Sequence, residues 1–231
     1  MRLLIIRHAD PDYENNTITA AGREEAKALA ARLKANGVNS IVCSTLQRAV
    51  DTMKYTQDLT GISPVFHDWL CEFEWEGTAG SFKNPWDIPG EKLLDSPDCL
   101  SLSSWQNTGG FDGEKIFKDY KERIISFDRF LYEKGYERTG LYYRELSGNN
   151  DCIAIFCHAG LGTALISHLL NIPLTLAWSN TWLAPSSVST IVFNRRDGET
   201  AVPRCISLGD TSHLYAAGLE VKPRGFKGNF Y

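Results

Sequence analysis

The sequence predicts an α/β fold of three layers, helices on both sides of a mostly parallel central sheet, and three observations predict it. Short unbroken apolar segments of strand length occur at Leu3 to Ile6, Ile41 to Cys43 and Cys152 to Cys157. Longer segments with apolar residues at helical spacing lie between and after them, so strand and helix alternate. The apolar segments are continuous rather than interleaved with polar residues, which marks strands buried on both faces, and both faces then need helices over them.

Taken in order, Leu3-Leu4-Ile5-Ile6 is the first strand and ends at the charged pair Arg7-His8. Thr19 is placed to N-cap a helix from Ala20 to about Ala35, with Ala26, Leu29, Ala30 and Leu33 on one face and Gly37 as its stop. Ser40 to Cys43 reads as a second strand, Gln47 to Leu59 as a helix ended by Gly61, and Val65-Phe66 as the start of a third strand. From Glu74 to Gly113 the pattern breaks at Pro85, Pro89, Pro97 and several glycines. The three tryptophans of that stretch, Trp75, Trp86 and Trp105, favour a lid packed on the rest over a linker. Helical spacing returns from about Glu114 to Lys134 through Ile116, Phe117, Tyr120, Ile124, Phe127 and Leu131. Cys152 to Cys157 is a buried strand, and Gly160 to Asn171 a helix closed by Pro173. Ser187 to Phe193 and Cys205 to Leu208 read as two further strands joined by the turn Arg195-Arg196-Asp197-Gly198.

The composition narrows the function. With 43% apolar and 23% charged residues in 231, global disorder and fibrous repeats are excluded. Lysine and arginine number 24 against 28 acids, a net charge of −4, so no basic excess is available to track a nucleic-acid backbone. A pocket for a small anion needs only a few local cations and remains open. The N-terminal apolar run is too short for a signal-peptide core or a membrane span, so no membrane partner is expected and the expected compartment is the cytoplasm. Six cysteines show no C-x-x-C spacing and are read as reduced and structural, and His67, His168 and His213 as structural too.

Ligands of open parallel sheets bind outside the carboxyl ends of the strands. Here those ends carry Arg7-His8, then Ser44-Thr45-Leu46-Gln47-Arg48, then His158-Ala159-Gly160 at a helix start. Two imidazoles and two guanidiniums are therefore expected to meet at one sheet edge, with amides of the helix start beside them. Guanidinium forks and helix-start amides both suit phosphate oxygens. The four side chains and Ala159 make a phosphate pocket, which requires residues 7 to 158 to meet and so favours one domain over 1–231, with an insertion at about 74–113.

At this point the motifs resemble those of the histidine phosphatase (phosphoglycerate mutase-like) superfamily. Arg7-His8-Ala9 is similar to its Arg-His-Gly, and Thr19 to Ala26 to its Thr-x-x-Gly-x-x-Gln-Ala. Ser44 to Thr52 is similar to its Ser-x-x-x-Arg-Ala-x-x-Thr, Leu70-Cys71-Glu72 to its Leu-x-Glu, and Cys157-His158-Ala159-Gly160 to its Ser-His-Gly-Gly. The five motifs come in the family's order and cover most of the chain, least well from Glu74 to Gly113.

The resemblance implies that His8 accepts the phosphoryl group as nucleophile, its other ring nitrogen held by a backbone carbonyl. It implies that Arg7, Arg48 and His158 hold the phosphoryl oxygens, and that Glu72 protonates the leaving oxygen and then helps activate water. Glu72 is preferred to Glu74 for its motif position and for its neighbours Trp69, Phe73 and Trp75. No cofactor and no metal is required, and the expected partner is a small phosphorylated substrate. The chain departs from the pattern at Ala9 and Ala159, which replace glycines, and at Asn15, one position late for a phosphate contact. Asp10 and Asp12 are expected to repel a second phosphate at the mouth, which favours a phosphatase over a mutase. Asp210-Thr211-Ser212-His213-Leu214 resembles a late family segment close to the site. A non-catalytic phospho-ligand module, and a dinuclear metal hydrolase using His8, Asp10, Asp12 and His158, stand as the alternatives.

Overall fold

The computed structural model describes residues 1–74, 84–109, 113–195 and 200–226. β1 (Arg2–Arg7) leads through the short pair β2 (Pro11–Asp12) and β3 (Thr17–Ile18) into α1 (Ala20–Ala35), β4 (Ser40–Ser44), α2 (Gln47–Thr60) and β5 (Val65–His67). Thr19 N-caps α1 by accepting from the Gly22 amide, and α2 ends on Gly61 in the left-handed conformation, φ 74°. A 3-10 turn, Asp68–Leu70, follows β5.

The lid expected at about 74–113 is compact over its described part. Three 3-10 turns, Pro85–Asp87, Pro97–Leu100 and Trp105–Asn107, flank the short helix α3 (Gly90–Leu94). The proline spacing explains this choice, since each of the first two turns has a proline at its start, where the missing N–H is not needed. Trp105 is buried, and Trp86 packs with its ring centroid 6.0 Å from that of Trp178. Trp75, Glu76 and residues 196–198 of the expected turn lie outside the described residues.

α4 (Gly113–Glu133) is followed by a hairpin, β6 (Tyr136–Thr139) and β7 (Tyr142–Glu145), that periodicity did not reveal. Its strands, Tyr-Glu-Arg-Thr and Tyr-Tyr-Arg-Glu, have four residues each and no apolar-polar alternation, so no pattern stands out. Then come β8 (Cys152–Cys157), α5 (Ala159–Leu170), α6 (Leu174–Asn180), β9 (Val188–Arg195), β10 (Thr200–Asp210) and α7 (Ser212–Ala216).

The eight-stranded sheet runs β5-β4-β8-β1-β9-β10-β7-β6. Pairing is parallel from β5 to β1 and antiparallel from β1 to β6, so the parallel half is the half that the βα alternation encodes. The period of two along β1 sorts its side chains between two cores. Leu4 and Ile6 pack with Leu29, Leu33, Ile41 and Met53 under α1 and α2. Leu3 and Ile5 pack with Phe127, Leu131, Leu161 and Leu165 under α4 and α5. Both sheet faces are thereby covered, as the unbroken apolar strands require. Among the described residues no helix is long and apolar enough to cross a membrane. All six cysteines are free, as expected; Cys43, Cys99, Cys152 and Cys157 are buried and Cys205 is exposed.

Candidate active site

Strand register brings the site together. Arg7 lies opposite Cys157 in the parallel β1–β8 pair, and Cys43 opposite Phe156 in the β4–β8 pair. The residues that follow, His8, Ser44 and His158, therefore leave three adjacent strands at one edge. The His8 and His158 rings stand 5.2 Å apart between centroids, both almost fully buried.

His8 is held in one tautomer. Its Nδ1 lies 2.8 Å from the Ala9 carbonyl oxygen, which can only accept, so Nδ1 carries the hydrogen and Nε2 the lone pair. Burial, with Arg7 and Arg48 adding positive potential, pushes its pKa well below the usual imidazole value, so the ring is neutral. The backbone around it is fixed from three sides. The His8 amide donates to Cys157 O at 3.0 Å, and Ser186 N donates to His8 O at 3.1 Å from a strained left-handed backbone, φ 57°. Ala9 N donates to Thr52 Oγ1 at 2.9 Å, which gives the last residue of the Arg48 motif a structural purpose.

His158 Nε2 lies 2.8 Å from Ser44 Oγ. Burial first, then His8 and the two arginines, depress its pKa well below the ordinary value. Arg7 is buried and donates through Nη1 to the Leu183 and Arg224 carbonyls at 2.6 and 3.2 Å. Arg48, on the first turn of α2, donates to Asn16 Oδ1 at 3.4 Å and lies 5.8 Å from the centre of the Tyr13 ring. Three buried donors or acceptors, Arg7 Nε, Arg48 Nε and His158 Nδ1, have no hydrogen-bond partner among the described residues. A buried polar atom is costly to leave unpaired, and three of them around one imidazole fit the oxygens of a tetrahedral anion.

Glu72, just after the 3-10 turn Asp68–Leu70, accepts from amides of the first turn of α5. Its Oε2 accepts from Gly160 N at 3.0 Å, and its Oε1 from Leu161 N at 2.8 Å and from Phe73 N at 3.2 Å. The helix-start amides expected to bind phosphate thus hold a carboxylate instead; the Ala159 amide is not among those that Glu72 takes. Burial pushes the Glu72 pKa up against the pull of these amides and of Arg48. Glu74 is exposed.

Asp10 does not stand as a free charge at the mouth. Its side chain is only 3% exposed and pairs with Arg224, Nε to Oδ1 at 2.6 Å, while Thr19 Oγ1 donates to Oδ2 at 2.7 Å. Asp12 accepts from Asn15, Nδ2 to Oδ2 at 2.8 Å, which turns Asn15 away from the role of anion ligand. The expected repulsion of a second phosphate by Asp10 is corrected accordingly, since its charge is matched by Arg224. Among the described residues no three His, Cys, Asp or Glu side chains are grouped as a metal would require.

Sequence reasoning missed several residues. Arg224, Tyr13, Asn16 and Ser186 carry no motif. Arg123 of α4 holds Asp119 at 2.7 Å and donates to the carbonyls of Trp69, Cys71 and Glu72 at 3.3, 2.5 and 3.4 Å, fixing the loop that presents Glu72. Its one signal was an arginine beside the buried face of an amphipathic helix. His213 bridges Arg32 and Ser186 at 3.2 Å each, and His168 binds Asp128 at 2.9 Å.

Residues 3–98 match the model of the histidine phosphatase superfamily, branch 1. No protein of curated function matches the sequence. Among solved structures, mycobacterial glucosyl-3-phosphoglycerate phosphatase in complex with inorganic phosphate is similar at a TM-score of 0.63 and 19% identity, over 92% of this chain and 98% of that one. Phosphoserine phosphatase from Entamoeba histolytica in complex with 3-phosphoglyceric acid is similar at a TM-score of 0.61 and 18% identity, over 92% and 98%. At such identities the likeness is one of fold. The family-model match is confined to residues 3–98, while the fold is shared with these two phosphatases along 92% of the chain.

Proposed function

We propose that this chain is one phosphatase domain that hydrolyses a small phosphorylated metabolite through a phosphohistidine on His8, without a metal. The observation that carries the reading is the set of unpaired buried atoms, Arg7 Nε, Arg48 Nε and His158 Nδ1, around an imidazole whose Nε2 holds the lone pair. His8 Nε2 attacks phosphorus, and the bond to the leaving oxygen breaks. The guanidiniums and His158 bind the three equatorial oxygens as charge spreads over them. Glu72 supplies the proton to the leaving oxygen from Oε2, which accepts a single amide and keeps room for it, whereas Oε1 accepts two. In the second half, Glu72 takes a proton from water as the water attacks phosphohistidine, restoring neutral His8 and releasing phosphate.

Hydrolysis of p-nitrophenyl phosphate in EDTA tests this. The wild type is expected to turn over and to yield acid-labile phosphate on the protein after quenching, and His8→Ala to do neither. Full activity in His8→Ala overturns the reading. The residue types shared with the superfamily and the phosphatase neighbours support it.

A further inference from the structure

A cavity of about 250 Å³ opens next to the site, and its chemistry differs from that of the phosphate pocket. Ala159 lines it one residue beyond His158, and Leu183, whose carbonyl accepts from Arg7, lines it on the other side. Its walls include Trp86, Trp178, Trp182 and Phe226, and its polar lining includes Asp87 and Asn180. Trp182 and Phe226 stand 5.6 Å apart between ring centroids, and Trp182 Nε1 donates to Arg224 O at 3.2 Å. Trp86 lies so close to α5 that a Cβ on Gly160 would come within 2.2 Å of its ring. The same Gly160 donates its amide to Glu72, so one residue joins the aromatic wall to the carboxyl that faces the leaving oxygen.

Resting on the phosphatase reading above, we propose that this cavity binds the alcohol part of the substrate, and that this alcohol is uncharged and carries a ring with a flat apolar face. Four aromatic side chains offer ring faces and edges, which bind flat apolar surfaces by stacking and burial. Among the described lining residues the only ionisable side chain is Asp87, and none is a cation. A carboxylate or second phosphate would be desolvated there beside a like charge, with no cation among the described lining residues to pair it. The volume equals roughly eight waters at ~30 Å³ each, the scale of one substituted ring. A sugar ring and an aryl ring share this chemistry.

The test uses three esters with alkyl leaving oxygens, so the intrinsic chemistry is matched: 2-phenylethyl phosphate, a hexose 6-phosphate and 3-phosphoglycerate. The wild type is expected to favour one of the two ring esters over 3-phosphoglycerate by at least about 10-fold in kcat/KM, within the range a pocket of this kind can discriminate. Preference for the phenyl or the hexose ester identifies which ring is used. Trp182→Ala is expected to cut that ratio to less than about threefold, and Asp87→Lys to shift it toward 3-phosphoglycerate by about 10-fold. Hydrolysis of 3-phosphoglycerate as fast as the better of the two ring esters, or a ratio unmoved by both variants, overturns the proposal. If no ester is hydrolysed, the phosphatase reading fails by itself, and tryptophan fluorescence then decides the cavity. Saturable quenching by a ring ester that 3-phosphoglycerate does not reproduce supports it, and no quenching by either ring ester overturns it.

Discussion

Replacing Glu72 by glutamine separates two jobs, because the carboxylate closes the start of α5 and, in the proposed mechanism, also protonates the leaving oxygen. Gly160 N and Leu161 N donate to separate oxygens at 3.0 and 2.8 Å. A hydrogen bond to a charged group is worth ~1.5–3 kcal/mol and a neutral one ~0.5–1.5 kcal/mol. The glutamine keeps one neutral acceptor and turns its NH2 toward an amide that can only donate. One bond is weakened by about 1 kcal/mol and the other is lost with a buried donor left unpaired, so Glu72→Gln should cost about 2–4 kcal/mol. At ~2–4 °C per kcal/mol for a chain of this size, Tm should fall by about 4–16 °C, measured by thermal unfolding. In kcat/KM, which covers only the steps up to phosphohistidine and leaves out the shared attack of water, a 2-phenylethyl ester needs its leaving oxygen protonated and should slow by roughly 10²–10⁴. p-Nitrophenyl phosphate, whose leaving oxygen is stable as an anion, should slow by about 10-fold or less. Equal slowing of both esters refutes the acid role, and an unchanged Tm refutes the helix-start role. Glu74→Gln, at an exposed position, should change neither measurement.

Three further outcomes follow from the same geometry. Because burial and two arginines push the His8 pKa well below the usual imidazole value, its ring-nitrogen NMR shifts should not change as pH falls through about 6.5; a titration centred there contradicts the assignment. Buried Glu25 accepts from Asp10 N at 2.9 Å, and burial, with Asp10 nearby, pushes its pKa from 4.5 up to about 7. The folded state binds that proton more tightly than the unfolded one, so the benefit is full below 4.5 and is lost as pH rises through about 7; Glu25→Gln, which keeps an acceptor, should flatten the fall in Tm across that window, and parallel profiles would contradict it. Gly160→Ala would place a Cβ 2.2 Å from Trp86, where carbon contacts need ~3.5–4 Å, and should destabilise by about 1–3 kcal/mol with a change in near-ultraviolet circular dichroism from the Trp86–Trp178 pair; an unaltered spectrum and Tm would show that the ring is not packed there.

The parallel half of the sheet was legible because its strands are continuous apolar runs ending in polar residues. Arg7, His8, Arg48 and His158 could be grouped by that topology alone, and the structure places them around one another. What could not be read depends on contacts remote in sequence. β6 and β7 are short, and the pairing of β7 with β10 through Ala201 opposite Tyr143 has no local signal. β10 begins at Thr200, before the Cys205 start suggested by apolar content, because Pro203 and Arg204 interrupt the pattern while the register with β9 continues. Asp10 was legible as a charge but not as a pair, since its partner is 214 residues away. The amides at the start of α5 looked like anion donors, and they are; the anion is a side chain of the same chain.

The Asp10–Arg224 pair also has a consequence in time. At ~5–20 residues per second of synthesis, the 214 positions between them amount to roughly ten to forty seconds on the ribosome. Throughout that interval β1 has emerged with His8, and the Asp10 carboxylate beside it has no guanidinium to meet. The Arg7 contact with the Arg224 carbonyl is missing for the same period. A nascent chain can therefore assemble its parallel core, but Asp10 receives its guanidinium only when the segment around Arg224 folds back, so the surroundings of His8 are completed after the core in the order of birth.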